Sequence, residues 1–153
     1  MGGRSRNEER AKIERLAKPR SDRLTNHKVI AWGPAVLWAL GLFLLSDIEG
    51  IPSELEPFRS ILDKPVHFTL YLILGGLLAR ARLASGIAAP PALLLGIGAV
   101  YAASDEWHQS FIPGRTPDVA DWLVDVAGLL VGYWIVVAFL ARRRGNQPHQ
   151  DRE

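Results

Sequence analysis

The feature that most constrains this chain is the collection of its apolar residues into four blocks separated by polar segments. The blocks cover residues 29–45, 65–79, 83–104 and 122–141, and Asp125 is the one acidic residue within them. About 20 apolar residues in an α-helix cross the ~30 Å hydrocarbon core of a bilayer. The pattern predicts an all-α fold, an integral membrane bundle of four transmembrane helices.

The overall composition says less about the class of protein than the distribution of apolar residues does. The chain has 153 residues, which is the size of one domain, and its 48% hydrophobic content could equally belong to a soluble protein. Cysteine is absent. The sequence therefore excludes disulfides, thiolate metal ligands and cysteine nucleophiles.

The second block is short for a membrane span, and the third contains two adjacent prolines. Residues 65–79 span only about 22 Å as a helix, so this block must draw on Lys64 and Arg80 by snorkelling or rest on its neighbours. In the third block, Pro90 and Pro91 place the start of the helix near themselves, because a first turn tolerates a missing amide hydrogen. Residues 46–57 and 110–118 contain Gly, Pro and Ser and are predicted to be loops.

The basic residues predict the orientation. Residues 1–28 contain nine Lys or Arg, residues 142–153 contain four, and Arg80 and Arg82 lie on the same side of a four-span bundle. The other side receives only Arg59, Lys64 and Arg115, together with ten acids. The positive-inside rule places both termini in the cytoplasm. We divide the chain into a basic tail (1–28), a membrane domain (29–141) and a polar tail (142–153), and we expect no nucleic-acid partner.

The first outward polar segment is DKPVHFTLY. On a helix beginning near Asp63, His67 and Tyr71 follow at four-residue steps, so the three side chains share one face. Such a stack could hold or relay protons. In the alternative interpretation, Asp63 caps the helix, His67 makes one interhelical hydrogen bond and Tyr71 belongs to the interfacial aromatic belt. The sequence favours neither.

The second outward polar segment begins with DEWHQ. Asp105 and Gln109 are four residues apart, while Glu106 and His108 point elsewhere around the helical turn. Adjacent acids suggest metal or acid–base chemistry, but the spacing does not match a motif such as HExxH. We expect no metal and no cofactor on this evidence, and we expect Trp107 to be an interfacial anchor.

Arg115 is the sole basic residue between the third and fourth blocks. It could form an ion pair with Asp105, Glu106 or Asp118, or it could bind a phosphate or carboxylate through two nitrogen atoms. The two roles are compatible, because a ligand phosphate could displace a carboxylate.

The fourth block carries a stripe of polar and small residues at three- and four-residue steps, namely Asp118, Asp121, Asp125, Gly128 and Gly132. The two glycines form a small-xxx-small surface of the kind that lets membrane helices approach closely. An unpaired charge at Asp125 would cost a few kcal/mol in a membrane, so we expect that side chain to be buried and paired or protonated. The available partners are Arg115, His67 and Lys64.

Taken together, the two outward segments resemble the VanZ-like family of small multi-pass membrane proteins, which is named after an accessory teicoplanin-resistance protein. The resemblance covers about residues 30–140. It is carried by Asp63, Lys64, His67, Phe68 and Tyr71 in the first segment and by Asp105, Glu106, Gln109, Phe111, Pro113, Arg115, Asp121 and Gly128 in the second. It implies a multi-pass cell-envelope protein, and this chain departs from the family pattern at Asp125, where Asn is expected.

Three functions are consistent with these residues. In the first, the outer cluster recognises an anionic envelope or lipid headgroup, with Arg115 and Lys64 meeting its charge. In the alternative, the chain is a small membrane enzyme that performs hydrolysis or group transfer on a lipid-linked substrate, with His67 or Glu106 as general base. A transporter would require oligomerisation, because four short helices leave little room for alternating access.

These interpretations share one set of candidate binding residues and one setting. We expect an integral protein of the bacterial cytoplasmic membrane whose partner is a membrane lipid or envelope precursor, and a homo-oligomer is compatible with this expectation. The candidate residues are Asp63, Lys64, His67, Tyr71, Asp105, Glu106, Gln109, Arg115, Asp121 and Asp125.

The orientation gives a first test. A reporter fused after Glu153 should be cytoplasmic, and a tag inserted near Ser53 should react with impermeant reagents in intact cells, because the basic flanks stay inside. Labelling of either terminus from outside would reverse the orientation and move the polar cluster to the cytoplasm.

Overall fold

The computed structural model describes residues 20–46, 56–111 and 118–146. They form four helices, α1 (Arg20–Ser46), α2 (Glu56–Ser85), α3 (Pro91–Gln109) and α4 (Val119–Gly145). No strand occurs within these ranges. The predicted all-α class is confirmed.

The helices alternate in direction. Near the ends of α1 and α3, the Tyr101 hydroxyl donates to the Ala39 carbonyl at 2.6 Å, and the Phe43 and His108 rings stack with centroids 4.7 Å apart. These contacts advance together along both helices, so α1 and α3 are parallel. Because α2 and α4 run the opposite way, the last turns of α1 and α3 meet the first turns of α2 and α4 at one end of the bundle.

The closest packing joins α2 and α4. A Cβ atom at Gly128 would overlap the Phe68 carbonyl, and one at Gly132 would overlap the Leu72 carbonyl. Only glycine allows the two backbones to lie this close. The prediction that this stripe of α4 faces protein is therefore confirmed, and its partner is α2.

The central buried apolar cluster is small, and its members are Leu42, Tyr71, Leu74, Ala102 and Leu129. Large apolar side chains on the outer faces remain more than half exposed, among them Val29, Leu37, Val100 and Ile135. In water this would be a costly surface, whereas in a bilayer the same side chains contact lipid tails.

Three stretches are long and apolar enough to cross a membrane, His27–Leu45, Asp63–Ser85 and Val119–Gly145. The protein is therefore a membrane protein with at least these three candidate spans. Helix α3 does not meet the same criterion. Its first 13 residues are mainly apolar or small, whereas five of its last six, SDEWHQ, are polar and lower its mean hydropathy.

The start of α2 differs from expectation. The helix begins at Glu56 and contains Pro65, so Asp63 lies inside it and does not cap it. Pro57 explains the earlier start, because proline fits the first turn of a helix. Of the predicted loop over residues 46–57, Ser46, Glu56 and Pro57 are helical, and residues 47–55 lie outside the described residues. The second block gains length from the helical turns that precede it. The predicted start of α3 is confirmed, with Pro90 as its N-cap.

The α2–α4 contact can be tested with Gly132→Ala. The added methyl group must push the Leu72 backbone away, so we expect thermal unfolding in detergent to show a loss of about 1–3 kcal/mol, as for other overpacked cores. Gly96→Ala is the matched control, since a Cβ atom at Gly96 meets nothing within 4 Å. Equal stability of the two variants would contradict the close packing.

Candidate functional site

One end of the bundle gathers nearly all the candidate polar residues. The N-terminal half of α2, the start of α4 and the last turns of α3 meet there, and they contribute Asp63, Lys64, His67, Tyr71, Asp105, Glu106, Gln109, Asp121 and Asp125. Arg115, the remaining candidate, lies outside the described residues.

His67 and Asp125 form the centre of this polar end. The Nδ1 atom of His67 lies 3.1 Å from Asp125 Oδ1, and the Asp125 side chain is 0% exposed. The prediction that Asp125 is buried and paired is confirmed, with His67 as its partner. On the other side of the ring, His67 Nε2 is 3.9 Å from Asp63 Oδ1. The imidazole therefore lies between two carboxylates, one on its own helix and one on α4.

Lys64 joins the N-terminal half of α2 to the start of α4. Its ammonium group contacts Asp121 closely and lies 3.5 Å from Asp118 Oδ2. Asp118 is also the N-cap of α4, where its side chain accepts a hydrogen bond from the Ala120 amide at 2.8 Å. That hydrogen bond, aided by Lys64, lowers the pKa of Asp118 below its usual value. Lys64 is thus engaged by two carboxylates.

Glu106 connects α3 to the same end of α4. Its Oε2 atom accepts a hydrogen bond from the Asp118 amide at 3.2 Å, and the residue is only 7% exposed. One ligand-capable atom from each of His67, Glu106 and Asp125 lies within 4.8 Å of the others. These three residues, from three helices, are the group in the described part of the chain that could hold a metal ion.

Tyr71 has a different environment from either sequence interpretation. Its hydroxyl donates to Asp105 Oδ2 at 3.4 Å, on α3, and its side chain is buried in the core. The aromatic-belt interpretation is therefore wrong for Tyr71, because a core position inside the bundle is not an interfacial one. Gln109 also approaches Asp105, at 3.5 Å, as their four-residue spacing predicted.

A groove of about 400 Å³ opens beside Glu106, between the end of α3 and the start of α4. Its lining is mainly apolar with two carboxylates, and it consists of Ala103, Glu106, Trp107, Asp118, Val119 and Trp122. Trp107 is 67% exposed, in keeping with the predicted anchor at the membrane surface. The groove therefore joins an apolar surface to the edge of the buried polar cluster.

Sequence reasoning did not assign Asp118 to the site. Its signal was its position directly before an apolar run, which is typical of an N-cap. No sequence motif marks a serine in this chain as a nucleophile. Ser104 and Ser110 are exposed, and each hydroxyl donates to a carbonyl of its own helix, at 2.7 and 2.6 Å. These hydroxyl groups act locally within the α3 C-terminal turns.

The His67–Asp125 pair predicts a difference between two variants. Asp125→Asn keeps an acceptor oxygen opposite the imidazole, whereas Asp125→Leu leaves a buried ring nitrogen without a partner, at a cost of about 1–3 kcal/mol. We expect Asn to be the milder change in thermal unfolding of the detergent-solubilised protein.

A double variant provides the control for that prediction. In Asp125→Leu combined with His67→Leu, both polar partners are replaced, so the loss should be smaller than the sum of the two single losses. Strict additivity would mean that the two side chains do not interact in the folded protein.

Comparison with known proteins agrees with the motifs and the fold. A model of the VanZ/LLP1 family matches residues 18–141, which is most of the chain and includes every described residue of the polar end. No curated protein and no solved structure shows a significant match. The extent of the family match, together with the membrane-capable helices, establishes that this chain belongs to the VanZ/LLP1 family.

Proposed function

We propose that this protein crosses the bacterial cytoplasmic membrane four times and uses its outward-facing polar end to recognise an anionic, phosphate-bearing lipid or envelope headgroup. The observation that carries the proposal is the position of Glu106. This residue borders the apolar groove and also belongs to the buried group with His67 and Asp125.

The dimensions of α3 support a fourth span. Its 19 residues give a helix of about 28 Å, close to the ~30 Å core of a bilayer. The polar residues that lower its hydropathy are all at its C-terminal end, beside the polar residues of α2 and α4. They would lie at the membrane surface, where the headgroups are, and both termini would then lie in the cytoplasm with the basic flanks.

The groove has the chemistry of a lipid site. Trp107, Val119 and Trp122 form apolar walls that suit the upper part of an acyl chain, and Trp107 is exposed at the surface. Carboxylates at the inner edge of the groove mark the boundary between this apolar wall and the polar cluster. A molecule with a chain and a polar head would match that boundary better than a small hydrophilic solute.

The charge of the headgroup must be met by cations. Within the described residues the cluster is rich in acids, and Lys64 is shared between Asp118 and Asp121. A phosphate could compete for Lys64, and Arg115, four residues after Phe111 in the sequence, supplies the second positive charge of this proposal.

A catalytic role is the second candidate, and the His67–Asp125 pair favours it. A carboxylate 3.1 Å from a ring nitrogen fixes an imidazole in the manner used by general bases. Such an enzyme would activate water for hydrolysis of a lipid-linked substrate, or the hydroxyl group of a second substrate as acceptor for group transfer. Ser104 and Ser110 are exposed, and their hydroxyl groups are hydrogen-bonded to carbonyls of their own helix.

Binding can be measured by native mass spectrometry of the full chain with phosphatidylglycerol, and phosphatidylcholine serves as the zwitterionic comparison. Arg115→Lys should weaken phosphatidylglycerol binding about tenfold, because an ammonium cannot replace the planar two-nitrogen contact, whose loss costs about 1.5 kcal/mol. Arg59→Lys, the same substitution at another predicted outward position, should bind like the unmodified chain. Equal affinity for both lipids, or equal loss in both variants, would contradict the proposal.

The same preparation separates binding from catalysis. Phosphatidylglycerol recovered after prolonged incubation should be chemically unchanged if the site recognises the headgroup. A new headgroup product that disappears in Arg115→Ala would instead establish the enzymatic alternative.

A further inference from the structure

We propose that His67, Glu106 and Asp125 form a binding site for one divalent transition-metal ion, of which Zn²⁺ is the best fit, and that the bound ion offers an open coordination position to the phosphate. The last part rests on the proposed function. The metal site itself rests on the geometry and burial of the three side chains.

The donor atoms are of the right kind and close together. One imidazole nitrogen and two carboxylate oxygens are common ligands of Zn²⁺, and Mn²⁺ and Fe²⁺ accept the same set. The three atoms lie within 4.8 Å of one another. A tetrahedral zinc ion with bonds of about 2.0–2.2 Å holds its ligand atoms roughly 3.4 Å apart. Small side-chain movements that shorten the donor-atom separations by about 1 Å would therefore complete the site.

Two buried oxygens provide an independent indication of a ligand. Asp125 Oδ2 and Glu106 Oε1 are shielded from solvent, and neither has a hydrogen-bond partner among the described residues. Asp125 is fully buried and Glu106 is more than nine-tenths buried. Buried carboxylate oxygens normally have a partner, because leaving them without one costs about 1–3 kcal/mol each. A cation bound by the two carboxylates would provide such a partner.

Charge balance points to a divalent ion. Two carboxylates and one neutral imidazole carry a charge of minus two, which a divalent cation cancels within a poorly polarisable interior. The nearest ammonium group does not have this role, because Lys64 contacts Asp118 and Asp121 at the edge of the cluster.

The surroundings resemble those of a working metal site. A ligand histidine usually donates its second ring N–H to a carboxylate, and Asp63 Oδ1, 3.9 Å from His67 Nε2, is close enough to accept that hydrogen bond after a small side-chain movement. Three protein ligands leave a fourth position vacant in a tetrahedral ion. That position can reach the groove, since Glu106 also lines it. The negative charges of this cluster repel phosphate. A bound metal ion would attract it.

The sequence pattern alone did not predict this site. The expectation of no metal rested on the spacing within DEWHQ, which supplies only one of the three ligands. The other two come from α2 and α4, and 58 residues separate His67 from Asp125. Short motifs detect ligands that share an element, and this group is assembled from three.

The test uses the full chain in mild detergent, purified through a tag without histidine. After chelation with EDTA and dialysis, Zn²⁺ or Mn²⁺ is added, and bound metal is measured by elemental mass spectrometry and calorimetry. We expect one equivalent of Zn²⁺ and a thermal stability that falls on chelation and recovers on reloading. Less than stoichiometric Zn²⁺, with no change in stability, would overturn the proposal.

Variants distinguish this site from surface binding. Glu106→Gln, His67→Ala and Asp125→Asn should each lower Zn²⁺ affinity about 100-fold, whereas His27→Gln, at an exposed histidine on α1, should leave it unchanged. Glu106→Gln is the most informative, because its amide keeps an acceptor for the Asp118 amide hydrogen and preserves the fold. Unchanged affinity in Glu106→Gln would refute the site. Replacement by Co²⁺ adds a second readout, an intense visible absorption expected of a tetrahedral ion and absent in this variant.

The metal and lipid proposals fail separately. Stoichiometric Zn²⁺ without a preference for phosphatidylglycerol would leave the metal site standing and refute headgroup recognition. Phosphatidylglycerol binding that survives complete chelation would uphold recognition and refute the bridging ion. If both proposals hold, EDTA should weaken phosphatidylglycerol binding, and Zn²⁺ should restore it in the unmodified chain but not in Glu106→Gln.

Discussion

The close approach of α2 and α4 determines the rest of the structure. Gly128 and Gly132 bring the α4 backbone against the carbonyls of Phe68 and Leu72, where any side chain would overlap them. One turn before Gly128 on α4, Asp125 meets His67 of α2. The glycines therefore set the distance at which the polar pair forms, and packing in the apolar half of the bundle positions the chemistry in the polar half.

Much of this arrangement was predictable from helical periodicity. The apolar blocks gave the helices, the stripe through Asp125 and Gly132 gave the buried face of α4, and the prolines gave the start of α3. Periodicity did not predict the earlier start of α2, because Pro57 permits a first turn where the sequence suggested a loop. Periodicity also could not predict that Tyr71 donates a hydrogen bond to Asp105 or that Glu106 lies near His67. Residue spacing defines one face of a helix, but it does not say which other helix packs against that face.

At the polar end of the bundle, the outer and the buried charged groups differ in how they are neutralised. Exposed groups there neutralise one another, as Lys64 does with Asp118 and Asp121, whereas the buried carboxylates of Glu106 and Asp125 each retain an oxygen without a protein partner. Surface ion pairs contribute little to stability, so the outer set mainly fixes helix ends. The inner set carries an energetic cost that a stable protein accepts where it serves a function.

The pairing of His67 with Asp125 also has consequences for biosynthesis. The two residues are 58 positions apart, and α3 lies between them in the sequence. At about 5–20 residues per second, several seconds pass between the synthesis of α2 and that of α4. During that interval the imidazole has no α4 carboxylate to meet. The His67–Asp125 contact therefore forms only after α4 has been made, and it joins the second helix to the last one synthesised.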